Sequence, residues 1–201
     1  MDDPTTFREI GGTRDDAAGE AYDKIGRVIG LPYPGGAALD QLAHKGDPNA
    51  ITLPSPALAG DTLDLSFSGI KTATLNYLNG MEQKGLPVQP ADVAASYTAK
   101  ITDALAQKTE KALESTGMQT LVLAGGVAAN SHLRAALEEV CRKRKATLVL
   151  PAKGLCGDNG AMVASAGYDE FLCGNLSNTD LNASAADDLP VSFPQEFSTG
   201  C

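Results

Sequence analysis

The sequence predicts an α/β fold built on a parallel sheet, and three observations predict it. Leu121-Val122-Leu123-Ala124 runs straight into Gly125-Gly126 and then Val127-Ala128-Ala129-Asn130. An apolar run bounded by glycines reads as a strand buried on both faces, the habit of parallel sheets. A helical stretch over 131–143 and a second apolar strand at 146–150 follow, which together make one right-handed βαβ unit. Upstream lies a long amphipathic helix over 90–116, with Val93, Tyr97, Ile101, Ala104, Leu105 and Ala112 on one stripe. Pro90 suits its first turn and Gly117 its end. In open α/β sheets, ligands sit outside the carboxyl ends of the strands. Gly125 and Gly126 lack the Cβ that would hold a phosphate or ribose away from backbone N–H groups.

The remaining elements follow in order. Residues 1–12 are short and irregular. Thr13 and Asp16 read as a capping box for a helix over about 14–29, with Ala18, Ala21, Tyr22, Ile25, Val28 and Ile29 on its apolar face. Gly30 ends it, and Leu31-Pro32-Tyr33-Pro34-Gly35-Gly36 makes a stiff loop before a short helix at about 37–45. Residues 46–62, rich in Pro, Gly and Asp, form a surface connection. Leu63-Asp64-Leu65-Ser66-Phe67 alternates as a half-exposed strand, and Ser68-Gly69 leads into a helix at about 70–79. After a loop at 151–157, Asp158-Asn159 opens a helix over about 159–173 with Met162, Val163, Ala166 and Phe171 inward. From Gly174 on, Asn, Ser, Asp and Ala predict little fixed structure.

The bulk numbers bound the function. The 201 residues suffice for one domain, or one and a piece of another, and 43% hydrophobic residues can bury a core. The net charge of −9 argues against a chain that binds polyanions over its whole surface. The acidity is uneven: no Lys or Arg follows Lys153, whereas Asp158, Asp169, Glu170, Asp180, Asp187, Asp188 and Glu196 do. Cys141, Cys156, Cys173 and Cys201 make no C-x-x-C, so they read as reduced cytosolic thiols. No apolar run approaches the ~20 residues that span a bilayer, and Met1-Asp2-Asp3-Pro4 is too acidic for a signal or transit peptide.

Several motifs carry two readings each. Asp15, Asp16 and Glu20 suit an acidic first helical turn; Asp23 lies beyond that turn, which leaves room for a binding role. Gly35-Gly36 is either a turn or unhindered backbone at a helix start, with Asp40 one turn in. Asp23 or Asp40 beside such a site suits recognition of ribose hydroxyls. Asn130 is an N-cap or a ligand-binding residue, and Asp158 a cap or a metal ligand. His44 and His132 are far apart in sequence, form no H-x-x-x-H pair, and read as surface residues. Arg142-Lys143-Arg144-Lys145 suits the C-terminal end of a helix dipole or a phosphate backbone.

Together, DDAAGEAYDK (15–24), GLPYPGG (30–36), SFSGIKTA (66–73), AGGVAAN (124–130) with Leu133-Arg134, and LCGDNGAM (155–162) resemble the TsaD family of tRNA threonylcarbamoyladenosine enzymes, once called O-sialoglycoprotein endopeptidases. The resemblance covers roughly residues 7–173. It implies the two-lobed actin/Hsp70-like (ASKHA) ATPase fold. Residues 1–12 would be a remnant of the lobe junction and 13–157 the second lobe with inserted helices. Residues 158–173 would be a helix returning towards the first lobe, and 174–201 a poorly ordered tail. The implied reaction transfers a threonylcarbamoyl group from its adenylate to N6 of the adenine beside the anticodon of tRNA. By matching position, Asp23, Gly36, Asp40 and Asn130 would hold the adenylate, and Asp158 would ligate one metal, usually iron. Implied partners are tRNA and the small TsaB- and TsaE-like proteins, in the cytoplasm and without a membrane.

The sequence departs from the family in having no first lobe, with its H-x-x-x-H metal pair, before the DDAAGEA segment. Gly157 also stands where the family has a hydroxyl residue. The expectation is a C-terminal portion, inactive alone because two of three metal ligands are missing. The alternative is a non-catalytic nucleotide-binding or protein-interaction module. A peptidase is disfavoured because no triad or dyad is visible.

Overall fold

A computed structural model describes residues 7–180 and 182. The expectation for the tail after 174 therefore falls largely outside the described residues, as does half of the 1–12 remnant. Gly11–Gly157 makes one compact unit; residues before Gly11 and from Asp158 onward make another.

The first unit is organised around a long helix. Helices α1 (Ala18–Val28), α2 (Gly36–Ala43), α3 (Ser68–Gln83) and α4 (Pro90–Thr116) precede strand β1 (Thr120–Val122), helix α5 (Ser131–Arg144) and strand β2 (Thr147–Val149). The α4 span agrees with its sequence signals, and its Gly117 cap is left-handed with φ 68°. Val93, Tyr97, Ile101 and Ala104 of α4 are fully buried against Ala21, Tyr22 and Ile25 of α1, Leu39 of α2 and Ile70 of α3. Tyr97 sets its ring edge-on to Tyr22 at 6.0 Å and donates its hydroxyl to the Ala21 carbonyl at 3.2 Å. Leu133, Leu137, Val140 and Cys141 of α5 are buried as well.

β1 and β2 pair in parallel, Thr120 to Thr147, Leu121 to Leu148 and Val122 to Val149, across the α5 crossover. The expected strand buried on both faces is corrected here. Leu121 and Leu148 are half-buried, but Val122 is 65% and Val149 45% exposed. Helix α5 packs on this two-stranded ribbon, and Thr120, Val122, Thr147 and Val149, which alternate with the two leucines, are exposed.

Two further local readings change. The first helix starts at Ala18 rather than about 14, and Ala17 makes no side-chain cap. Thr13 instead closes a turn, accepting from Asp15 N and donating to the Asp16 carbonyl. Residues 63–67 alternate in burial as expected, but only Leu65 bridges its neighbours, Thr13 and Ala57.

Asp15 and Asp16 are therefore not a helical first turn. Asp15 reaches the start of α3, accepting from Phe67 N at 2.7 Å, Ser68 N at 3.2 Å, Ser68 Oγ at 2.8 Å and the Ser66 hydroxyl. The Ser66 hydroxyl above all, against the cost of burial and with help from the Ser68 hydroxyl and the two N–H groups, lowers its pKa to about 2. Asp16 pairs with Lys24 of α1 and Lys71 of α3.

The second unit contains α6 (Gly160–Leu172), capped by Asn159 accepting from Met162 N at 3.0 Å; the cap is Asn159 and not Asp158. The inward face expected for α6 is corrected too. No residue of it is buried, and Met162, Val163 and Phe171 are 48%, 65% and 61% exposed. An amphipathic pattern states which face seeks cover but does not supply the cover. Among the described residues, no helix is long and apolar enough to cross a membrane.

Candidate functional site

A cleft of about 770 Å³ opens within the first unit. Its walls are the start of α1, the start of α2, and the turn from Ala124 to Asn130, with Lys153 on the loop after β2. Asp23, Gly36, Asp40 and Asn130, which the sequence spreads over more than a hundred positions, all line it. Asp158 belongs to the second unit.

Each wall has a local cause. Asp23 Oδ1 accepts from Gly35 N at 2.7 Å and Gly36 N at 3.0 Å, tying α1 to the start of α2 and complementing that helix dipole. The contact is close because Gly35 lies against Gly26. A Cβ on Gly26 would meet Gly35 Cα at 3.2 Å. Gly125 has φ 86°, which a side chain would oppose. A 3₁₀ turn over Gly126–Ala129 then delivers the chain to Asn130, whose side chain accepts from Leu133 N at 2.8 Å. Asn130 is thus an N-cap and a cleft residue at once.

Arg134 braces this turn from below. It donates to the Ala128 carbonyl at 2.5 Å and, through Nη2, to the Pro151 carbonyl at 2.9 Å, joining the glycine turn to the loop that carries Lys153. Sequence reasoning quoted Arg134 in a motif but missed Lys153; a lone Lys after a strand gives no signal of its own.

Asp40 is the most heavily bonded of the four. Both its oxygens accept from Ser131 N at 3.1 Å; Oδ1 also accepts from Ser131 Oγ at 3.0 Å and lies 2.8 Å from His132 Nδ1. Burial, the largest influence, opposes its charge. The His132 and Ser131 hydrogen bonds outweigh burial and hold the carboxyl below its ordinary value.

His44 is exposed, as expected of a surface residue, and His132 is half-buried, but the reading that sets the two apart is corrected. Their rings stack at 4.0 Å with 27° between planes, and His44 Nε2 lies 2.7 Å from Ser131 Oγ. Asp40, His44 and His132 form a group whose ligand atoms lie within 4.8 Å of one another, close enough to hold a metal ion. This is not a Ser–His–Asp triad. In a triad the carboxylate orients the histidine that meets the serine, whereas here Asp40 holds His132 and Ser131 meets His44.

The basic run at 142–145 finds protein partners. Lys143 pairs with Glu110 at 2.6 Å, and Arg144 with Glu110 and Glu114 at 2.9 Å, which fastens the end of α5 to α4. Of its two readings, the structural one accounts for these contacts.

The profile of the family described as TsaD, tRNA N6-adenosine threonylcarbamoyltransferase, matches residues 1–165. The chain belongs to the TsaD family. Proteins named tRNA N6-adenosine threonylcarbamoyltransferase are similar to it. One from Clostridium botulinum (strain 657 / Type Ba4) is 48% identical over 183 residues, 91% of this chain and 54% of that protein. One from Moorella thermoacetica is 46% identical over 191 residues, 95% of this chain and 55% of that protein. The chain thus spans about half the length of these TsaD relatives. A solved structure, the HypF of T.kodakarensis, superposes with a TM-score of 0.58 at 22% identity, covering 83% of this chain and 21% of that one. That likeness supports the α/β fold with its small parallel sheet.

A metal ligated by Asp158 does not fit this chain by itself. Among the described residues, Asp158 is in no group of three His, Cys, Asp or Glu side chains within metal-binding reach. A single carboxylate is a poor transition-metal site.

Proposed function

We propose that this chain is the adenylate-binding part of an enzyme that transfers a threonylcarbamoyl group from threonylcarbamoyl-adenylate to N6 of the adenine beside the anticodon of tRNA. The observation that carries the reading is the convergence of Asp23, Gly36, Asp40 and Asn130 on one cleft. Asp23 uses Oδ1 to fix the Gly35-Gly36 backbone and so turns Oδ2 towards a ribose hydroxyl. Gly36 keeps the wall low, and Gly125 and Gly126 let backbone approach the nucleoside. Lys153, a cation on the rim, suits the adenylate phosphate. Asp40 and Asn130 fix the start of α5 at the cleft by accepting from Ser131 N and Leu133 N.

In this reading the fold is the second lobe of an actin/Hsp70-like ATPase architecture. By resemblance, Asp158 would supply one ligand to a metal, iron in the family, whose other ligands lie outside this chain and which would supply Lewis-acid chemistry when bound. TsaB- and TsaE-like proteins are its partners, and the cytoplasm is its place. With Asp158 as its only contribution to that metal, the chain's own work is to bind and orient the nucleotide, and transfer by this chain alone is not expected.

Calorimetric titration of the chain with AMP and ATP tests the reading. Binding that is lost in Asp23→Ala and Asn130→Ala supports it. A folded chain that binds neither nucleotide overturns it in favour of a module that only contacts other proteins.

A further inference from the structure

We propose that Asp40, His44 and His132 form a site for a zinc-like divalent cation beside the cleft, with Asp158 not among its ligands. Asp40 and His44 stand four residues apart at the end of α2, so they rise from one helix face. His132 comes from the first turn of α5, ninety-two residues after Asp40. The fold stacks the two imidazoles at 4.0 Å and sets one nitrogen of each, with a carboxylate oxygen, within a 4.8 Å span.

Two imidazole nitrogens and one carboxylate oxygen are the donor set of zinc and its first-row neighbours; magnesium and calcium take oxygen-only sites. Three protein ligands leave a fourth position to water, and His44 is exposed, so an ion can enter from solvent. Asp40 is charged and ready to coordinate. His132 Nδ1, which now faces Asp40, is freed for the cation when the neutral ring carries its proton on Nε2, and the His44 ring releases its contact with Ser131 Oγ. Asp40 keeps its second oxygen on Ser131 N, so α5 stays capped with the ion bound.

The 201-residue chain, stripped with chelator, is titrated with Zn²⁺ by calorimetry and with Co²⁺ by visible absorption. The expected result is one ion per chain, with a tetrahedral cobalt spectrum and no thiolate charge-transfer band. His44→Ala and His132→Ala each weaken binding roughly tenfold or more, a loss that even an outer partner of a metal site can cause. Asp158→Ala leaves it unchanged. Circular dichroism establishes that each variant is folded, and His132→Gln, which keeps a polar ring-sized group, serves if His132→Ala does not fold. The proposal is overturned if the folded wild-type chain takes up no ion. It is equally overturned by binding that survives both histidine changes, by loss on Asp158→Ala alone, or by a thiolate band. None of these readouts depends on nucleotide binding, so the site stands or falls separately from the adenylate reading.

Discussion

Helices α5 and α6 begin alike and end in different circumstances. Each opens on an Asn whose side chain accepts from the N–H three residues on, Asn130 from Leu133 and Asn159 from Met162. Each runs thirteen or fourteen residues and carries a line of apolar side chains. Yet α5 buries four of them, and α6 buries none. The difference teaches that a cap and an apolar stripe establish a helix, whereas burial depends on what stands opposite. For α5 that is α4 and the β1–β2 ribbon.

The comparison can be broken most sharply by truncation. Leu137→Ala removes a side chain that is 3% exposed, so unfolding in urea should register a loss of about 2–5 kcal/mol. Val163→Ala, from a side chain 65% exposed, should stay within about 0.5 kcal/mol. Equal losses would mean that α6 is covered in solution after all.

The two caps sharpen it further. Asn130→Ala and Asn159→Ala should each cost about 1 kcal/mol of helix stability. Only Asn130→Ala should also weaken AMP binding, because only Asn130 lines the cleft. Calorimetry on the two variants side by side checks this; equal affinities would remove Asn130 from the binding role.

The smallest effect concerns a third helix start. α3 is held by a carboxylate fifty-odd residues away in sequence, Asp15. Its pKa is lowered to about 2. The stability it contributes is therefore fully present above the ordinary carboxylate value of ~3.9 and is lost as pH falls through about 2. Thermal melts between pH 5 and 2 should fall less steeply for Asp15→Asn than for the wild-type chain. Parallel curves would mean that the remote cap contributes nothing.

Much of the cleft lining was legible in the sequence, because glycines and helix caps announce themselves locally. Gly125, Gly35 and Asn130 sit where their turns require them. What escaped was anything that depends on distant chain meeting. His44 and His132 looked unrelated since the motif sought, two histidines on one helix, is local; the pair forms across α2 and α5. Asp15 and Asp16 looked like a helical turn because their partners, Ser66, Ser68 and Lys71, lie more than fifty residues on. The Lys143 and Arg144 cations looked available until α4 supplied Glu110 and Glu114.

The sequence by itself determined the α/β class, the span of α4, the capped glycine turn and the membership of a family. The first three rest on backbone preferences and periodicity, which act over a few residues; family membership rests on five motifs standing in the family's order. Tertiary structure alone decided that four scattered residues share a cleft, that two histidines stack on each other beside a carboxylate, that Val122 and Val149 of the ribbon are exposed, and that α6 keeps its apolar side chains exposed. Such outcomes rest on packing and pairing between segments far apart in the chain, and no local pattern encodes which segment will arrive opposite.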